Sequence, residues 1–174
     1  AEGAQVGGAY NFNEGVRASG TITTSAVLTG DTVTIGGITL TAAGAQTAGG
    51  LNFDEGTKAS GTYTVNAFPS TSVLTIGGDP LALAAGPRTS GSDNYNNTLG
   101  SAVAIAADIV AAINDPANSF ADTVTASAVG AVVTVRSIVP GAAGNSITIV
   151  SSTGTVTASG ATLTGGVGTN TTVA

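Results

Sequence analysis

The chain has 174 residues, a formal net charge of −6 and only 8% charged residues, against about 25% in an average soluble domain. It contains neither His nor Cys, which excludes an imidazole general base, a disulfide framework and a thiolate metal site. Its four basic residues are dispersed, so the positive surface that nucleic-acid binding requires is missing. A surface so poor in charge favours coverage by partners, although an uncharged Ser/Thr surface is the alternative.

The first elements in chain order belong to a tandem repeat. Residues 11–21 return as residues 52–62, a shift of 41 positions (52 − 11), and the same shift relates residues 33–37 to residues 74–78. A unit copied in register is a structural module, since an active site rarely needs two nearby copies. The repeat therefore favours a protein that builds an assembly over an enzyme.

Each copy is predicted to contain a strand followed by a hairpin. A Gly-Gly pair separates two alternating runs in both copies, at Gly36-Gly37 and at Gly77-Gly78, which predicts a two-residue hairpin turn. Asp79-Pro80 makes the second hairpin less regular, because Pro donates no ladder hydrogen bond. The predicted strands of the two copies are residues 18–27, 32–35, 38–40, 60–68, 73–76 and 81–84, with further turns at Gly30-Asp31 and Pro69-Ser70.

One helix is predicted, over residues 99–114, after a polar loop. Its apolar stripe consists of Ile105, Ile109 and Ile113, which lie four positions apart. Thr98 is predicted to cap its start, and Asp115-Pro116 to end it. The run is too short and too interrupted to span a bilayer, so we expect no membrane segment, and the start of the sequence, which has no basic residue and no apolar run, leads us to expect no signal peptide.

The remainder returns to a β pattern, with predicted strands at residues 123–128, 131–137, 146–151 and 161–164. The predicted fold class is α+β, mainly β, with Thr/Gly-rich antiparallel sheets in a β-sandwich-like arrangement and one helix. We expect an N-terminal arm with the first hairpin (1–50), a main β-β-α-β-β-β domain (51–167) and a loose tail (168–174). Because an isolated hairpin is marginal in water, the first copy must dock on its own body or on a neighbouring subunit.

An ordered set of segments resembles a module found in structural proteins of tailed bacteriophages, namely head decoration, tail and fibre components. The segments that carry the resemblance are residues 30–40, 59–62, 74–78, 104–114, 140–147 and 161–167. Together they span about residues 18–167. The resemblance implies a location in the virion and no catalysis. The duplicated hairpin departs from the single-copy form of that module.

The chain has few side chains that could act as catalytic groups. A Ser-Lys pair would need Lys58, the only lysine, with Ser60 beside it. The first copy has Arg17 and Ser19 at the matching positions, and an arginine cannot act as a base. We therefore expect the positive charge to form ion pairs and the chain to have no catalytic residues.

Oxygen-rich and aromatic residues are the remaining candidates for a ligand site. Asn13-Glu14, Asp54-Glu55 and residues 93–97 suggest turns first and a calcium site second. Glu14 and Glu55 occupy equivalent places in the two copies, which gives no reason for a catalytic carboxylate pair. Phe12 and Phe53 are expected to anchor each copy, and Tyr10, Tyr63 and Tyr95 are expected in the core or an interface rather than on a sugar-stacking surface.

The leading hypothesis is a bacteriophage virion protein, a capsid decoration (cement) protein that stabilises the particle through β contacts between subunits. We expect its partners to be other copies of itself and the major capsid protein or other virion subunits, with no cofactor, metal, nucleic acid or membrane. The alternatives are a tail-tube or tail-fibre subunit, a carbohydrate-binding or adhesion module, and a bacterial surface-layer or filament subunit. The predicted interface residues are Asn11, Phe12, Glu14, Arg17, Ile22, Val33, Ile35, Ile38, Leu40, Phe53 and Lys58.

Overall fold

The computed structural model describes residues 20–22, 27–44, 49–67 and 71–168. Strands dominate these residues and one α-helix interrupts them, which confirms the predicted class. The elements are β1 Thr32–Ile35, β2 Ile38–Ala43, β3 Asn52–Asp54, β4 Ser60–Val65, β5 Leu74–Ile76, β6 Asp79–Ala84, β7 Asn94–Asn96, α1 Ala102–Ile113, β8 Val124–Val129, β9 Val132–Ser137, β10 Ile149–Ser151 and β11 Val156–Ala158.

The strands form three sheets. The N-terminal sheet has the order β1-β2-β3, the second sheet β10-β5-β6-β7, and the third sheet β11-β4-β9-β8. Most pairs are antiparallel, as predicted, but β2–β3 and β6–β7 are parallel. Helix α1 packs on β4, β7, β8 and β9, so it lies against both the second and the third sheet.

The hydrophobic core lies between α1 and these two sheets. The predicted stripe of Ile105, Ile109 and Ile113 is fully buried in it. Tyr63 from β4 and Tyr95 from β7 are buried in the same core, as predicted for aromatic side chains that hide a ring. The core is therefore formed by residues of the second repeat copy and of the segments after it, from Ala59 to Leu163.

The helix begins three residues later than predicted. Ser101 is the N-cap, and its Oγ accepts a hydrogen bond from the Ala104 N–H at 3.1 Å. Thr98 instead donates its N–H and its hydroxyl to Asn96 Oδ1, at 2.8 and 2.7 Å. Gly100, at φ +71°, separates the two positions. The predicted end is confirmed, since the helix stops at Ile113.

The pattern missed three short strands, β3, β7 and β11. The predicted strand at 161–164 makes only single bridges, Thr162 with Thr148 and Thr164 with Ser60. The predicted strand at 146–151 shortens to β10, because residues 142–146 form a 3-10 turn. Of the predicted strand at 18–27, the described residues 20–22 and 27 are not in a strand, and its other residues lie outside the described part, as do Pro69-Ser70 and residues 169–174.

Candidate interface at the N-terminal sheet

The repeat is visible as two hairpins of the same geometry. Both Gly-Gly pairs have positive φ at both positions: +58° and +81° at Gly36-Gly37, and +63° and +104° at Gly77-Gly78. This is the requirement of the tight turn whose twist matches that of the flanking strands. Ile35 pairs with Ile38 across the first turn, and Ile76 with Asp79 across the second.

A third strand follows each hairpin and pairs with it. After the first hairpin, β3 pairs parallel with β2, and after the second hairpin, β7 pairs parallel with β6. These strands read Asn52-Phe53-Asp54 and Asn94-Tyr95-Asn96, 42 positions apart (94 − 52). The sequence thus contains three Asn-aromatic-Asn/Asp triplets, at residues 11–13, 52–54 and 94–96. The third was missed because it follows the second by 42 positions rather than by the 41 of the repeat.

The N-terminal sheet is amphipathic. Residues directly opposite each other in paired strands point to the same face, so the pairs Val33–Leu40, Ile35–Ile38 and Ala42–Phe53 share one side. We call this side the apolar face; it consists of Val33, Ile35, Ile38, Leu40, Ala42 and Phe53. Its reverse carries threonines: Thr32, Thr34, Thr39 and Thr41.

The two copies differ sharply in the exposure of equivalent side chains. Ile35 is 49% exposed and Ile38 is 54% exposed, whereas Ile76, the counterpart of Ile35, is 1% exposed. Leu74 and Leu81, the counterparts of Val33 and Leu40, are fully buried, as is Tyr95 in β7. The second hairpin is covered by the core; the first has no described strand or helix packed on it beyond marginal contact.

The predicted interface residues fall into three groups. Asn11, Phe12, Glu14 and Arg17 lie outside the described residues. Val33, Ile35, Ile38, Leu40 and Phe53 are brought together on the apolar face. Ile22, 49% exposed, and the exposed Lys58 belong to no strand of this sheet. The assignment of all eleven residues to an interface stays a prediction.

Hydrogen bonds fix the chain segment that directly follows β3 against the N-terminal sheet. Glu55, directly after β3, donates its N–H to the Ala43 carbonyl at 2.9 Å, and its carboxylate accepts the Thr29 hydroxyl. Asp54 Oδ1 accepts the Gly56 N–H at 2.8 Å, which is a turn role as expected for this carboxylate. These contacts use the carboxylates that a metal site would need.

The loop at residues 93–97 is likewise structural. Its middle forms β7, and the Asp93 carboxylate accepts the N–H and the hydroxyl of Ser119, at 3.0 and 2.7 Å. Within the described ranges, no three potential metal-ligating side chains gather at one place. Asn13-Glu14, the third candidate cluster, lies outside those ranges.

A second polar cluster holds residues 88–90 against the end of α1. Arg88 Nη1 contacts Asp115 Oδ2 at 2.7 Å, and Asp115 Oδ1 accepts the Ser90 hydroxyl and the Ala117 N–H, both at 3.0 Å. The Ala117 N–H, then the Ser90 hydroxyl and then Arg88, hold the pKa of Asp115 below its usual range, although burial opposes them. These contacts tie residues 88–90 to the segment that follows α1.

The tyrosines of the described chain are core residues. Tyr63 donates its hydroxyl to the Thr75 carbonyl at 2.8 Å, and Tyr95 donates to the Ser72 carbonyl at 2.9 Å. Burial raises the pKa of both hydroxyls. Neither ring is available to stack on a sugar, which removes two of the three aromatic residues considered for carbohydrate binding.

An open groove of about 500 Å³ lies between β10 and β11. It is lined by small and apolar residues such as Val150, Ser152, Thr157 and Gly160, and its lining contains no charged or aromatic side chain. Such a lining offers no acid, base or stacking surface for a small molecule. The apolar face is therefore the stronger candidate site.

The sequence matches no protein-family model, and no curated protein shows significant similarity to it. Helix α1, the helix found among the described residues, does not have the length or apolar character to cross a lipid bilayer. The function is accordingly argued from the geometry of the apolar face.

Proposed function

We propose that the chain is a structural subunit of a bacteriophage virion, acting as a head decoration protein that attaches to the capsid through its N-terminal sheet. The order of its segments, from the Gly-Gly hairpins to the Gly165-Gly166 turn, resembles virion modules. The observation that carries the proposal is the exposure of Ile35 and Ile38 on a face whose counterpart, around Ile76, is buried within the same chain.

Exposed apolar surface of this kind is typical of binding sites. A single exposed isoleucine is ordinary on a protein surface. Here two of them lie opposite each other at one end of a sheet whose reverse is entirely threonine at the paired positions of β1 and β2. Ala42 is buried and Val33, Leu40 and Phe53 are partly buried, so the exposed part of the apolar face is its outer end, at Ile35 and Ile38. A β-sheet normally buries such apolar positions.

The work of such a subunit is adhesion. Each copy would bury its apolar face on the capsid surface and so hold neighbouring capsid subunits together. The hydrophobic effect drives this burial and needs no charged partner, which suits a chain with only 8% charged residues. Many weak contacts repeated over a particle resist expansion together, because every copy must detach before the shell can open.

Binding of the purified chain to capsids that lack it tests the proposal. The double variant Ile35→Asp/Ile38→Asp should bind at least about a hundredfold more weakly, because burying unpaired carboxylates costs several kcal/mol. Both side chains are already about half exposed, so the variant's free energy of unfolding should fall by no more than about 1 kcal/mol, the cost of two like charges opposite each other in paired strands.

Val129→Asp/Val132→Asp is the matched control. Val129 and Val132 are 85% and 37% exposed and pair across the β8–β9 turn of the third sheet, so the two substitutions place the same two charges on another exposed apolar pair. Equal loss of binding in both double variants, or unchanged binding of the Ile35→Asp/Ile38→Asp variant, would refute attachment through the apolar face. Electron microscopy that places the labelled chain on the tail would instead support the tail-tube or fibre alternative.

A further inference from the structure

Strand β1 presents an open edge. The Asp31 carbonyl accepts the Ala42 N–H, so the odd-numbered residues of β1 direct their backbone groups toward β2. In an antiparallel pair the direction alternates, which leaves the backbone groups of Thr32 and Thr34 pointing away from β2. No described residue pairs with this edge.

The second repeat copy shows the same edge in its completed form. The equivalent positions, 41 residues later, are Val73, Thr75 and Gly77. All three are paired with the strand around β10: the Val73 carbonyl accepts the Ser152 N–H, Thr75 is opposite Val150, and the Gly77 N–H donates to the Thr148 carbonyl. The hairpin thus accepts a third antiparallel strand at this edge when one is available.

Two features that protect free edges lie directly before β1: the charged Asp31, and a bulge at Gly30 (φ +96°), where Ala42 bonds both the Gly30 N–H and the Asp31 carbonyl. Within Thr32–Ile35 itself the edge has none. Proteins usually guard such edges with charged side chains, proline or bulges. Strand β1 reads Thr-Val-Thr-Ile, is paired without interruption to β2, and contains no charged residue or proline. An unguarded edge of alternating threonine and aliphatic residues is suited to pairing with another strand.

The edge is also complementary to itself. If two copies of β1 meet antiparallel about a two-fold axis at Thr34, that residue lies opposite itself and Thr32 lies opposite Gly36 of the second copy. The outward N–H and C=O groups then meet one another, in the positions that β10 satisfies in the second sheet. Val33 lies opposite Ile35 of the second copy, so apolar residues meet apolar residues.

Charge favours this antiparallel register. Asp31 lies opposite Gly37 of the second copy, and the two Asp31 carboxylates are about 20 Å apart along the strands. A parallel arrangement in register would instead place the two Asp31 residues, one from each chain, side by side, which is unfavourable for like charges.

We propose that two copies of this chain pair through β1, antiparallel and centred on Thr34, to form one continuous six-stranded sheet. The two apolar faces then lie on the same side of that sheet and form a single docking surface of twice the size. The inference rests on the proposed function in taking the N-terminal sheet as an assembly surface, and it adds the partner and the register.

Cysteine crosslinking of the full chain tests the register, because the natural sequence contains no Cys. In the Thr34→Cys variant the two Cα atoms would be about 5.5 Å apart, within the range that a disulfide spans. Thr39→Cys is the matched control: Thr39 is opposite Thr34 on the same face of β2, and its two copies would be separated by three strand spacings, about 14 Å. We expect the Thr34→Cys variant to form the crosslinked dimer at least about tenfold faster than the Thr39→Cys variant under mild oxidation. Equal rates would overturn the proposed register.

Backbone substitution tests the pairing itself. Thr34→Pro removes an N–H that β2 does not use, so the hairpin should persist while the edge loses a donor. Thr34→Val keeps that N–H and serves as the control. We expect the wild type and Thr34→Val to sediment at twice the 16.5 kDa chain mass and Thr34→Pro to sediment as a monomer.

A monomeric wild type, or an equally dimeric Thr34→Pro, would overturn the inference. Neither result would contradict the proposed function, because that proposal is tested separately by capsid binding. A monomeric chain whose capsid binding is nevertheless abolished by Thr34→Pro would assign the edge to a strand of the capsid protein instead.

Discussion

Gly61→Ala should destabilise the protein, whereas Gly20→Ala at the equivalent position of the first copy should not. Gly61 lies in β4, and a Cβ built there would overlap Ile149 Cδ1 and meet Leu163 Cδ2 at 3.1 Å and Ser159 Oγ at 3.2 Å. A Cβ built on Gly20 meets no atom within 4 Å. The pair differs by 41 positions (61 − 20) and shares the Ser-Gly-Thr sequence, so the comparison isolates the surroundings.

The expected cost at Gly61 follows from overpacking. Ile149 Cδ1 and Leu163 Cδ2 are the ends of fully buried side chains in the core, so they can move aside only by shifting other buried side chains. Forcing an extra carbon into a packed core costs about 1–3 kcal/mol. Alanine also restricts the unfolded chain, which recovers about 0.4–1 kcal/mol at both glycines. We therefore expect a net loss near 1–2 kcal/mol for Gly61→Ala, or about 2–8 °C in the melting temperature, and no loss for Gly20→Ala.

Urea unfolding followed by circular dichroism and by tyrosine fluorescence measures these differences, since the chain has no Trp. Ile149→Val provides a rescue, because it removes the Cδ1 atom that the new Cβ approaches. Alone it should cost about 0.5–1.5 kcal/mol, but combined with Gly61→Ala it should cost less than the sum of the two. Additive costs in the double variant, or an equal loss for Gly20→Ala, would refute the reasoning.

Two further predictions concern pH. The lowered pKa of Asp115 means that its stabilisation is present above its unfolded value of 3.8 and is lost as the pH falls below it toward the folded pKa. Asp115→Asn should flatten the melting temperature against pH in this acid range, and an unchanged slope would contradict the stabilising contacts of this carboxylate. The raised pKa of Tyr63 means that its neutral form is favoured on folding, so stability should fall as the pH rises above the unfolded value of 10.0; Tyr63→Phe should weaken this alkaline loss in chemical unfolding, and an unchanged slope would contradict the buried hydroxyl.

Elements with enough residues to show a period could be predicted from the sequence. The stripe of α1 and the alternation around both Gly-Gly turns each extend over several residues, and their outlines are confirmed. Strands β3, β7 and β11 have three residues each, as β5 and β10 do, but β3 and β7 consist of Asn and Asp around one aromatic residue, a composition typical of turns, and β11 follows a Thr/Gly-rich segment with no alternation. The start of α1 was wrong because Thr98 and Ser101 are both good caps, and the choice depends on the positive φ of Gly100 between them.

The unequal exposure of the two hairpins could not be predicted from local sequence patterns, because it depends on contacts between residues that are far apart in the chain. The residues that cover the second hairpin include Ile149, which pairs with Ile76 from 73 positions away in the chain (149 − 76). The repeat indicated that only the second copy has a body to pack on. The exposure of Ile35 and Ile38 agrees with that interpretation, while their role in an interface remains to be measured.

The differences between the two hairpins are consistent with the proposal that the exposed one binds a partner. If the first hairpin always faced water, its tip should be the more polar of the two, because solvent-facing positions favour charged and polar side chains. The opposite is found: Ile38, 54% exposed, stands where the core-covered hairpin has Asp79, and Thr39 stands where it has Pro80. Asp79 and Pro80 lie at the start of β6, and Ile38 and Thr39 at the start of β2, so this difference concerns the face and tip of each hairpin rather than the edge of β1. An apolar side chain at the exposed tip agrees with the proposal that this face is covered by a partner.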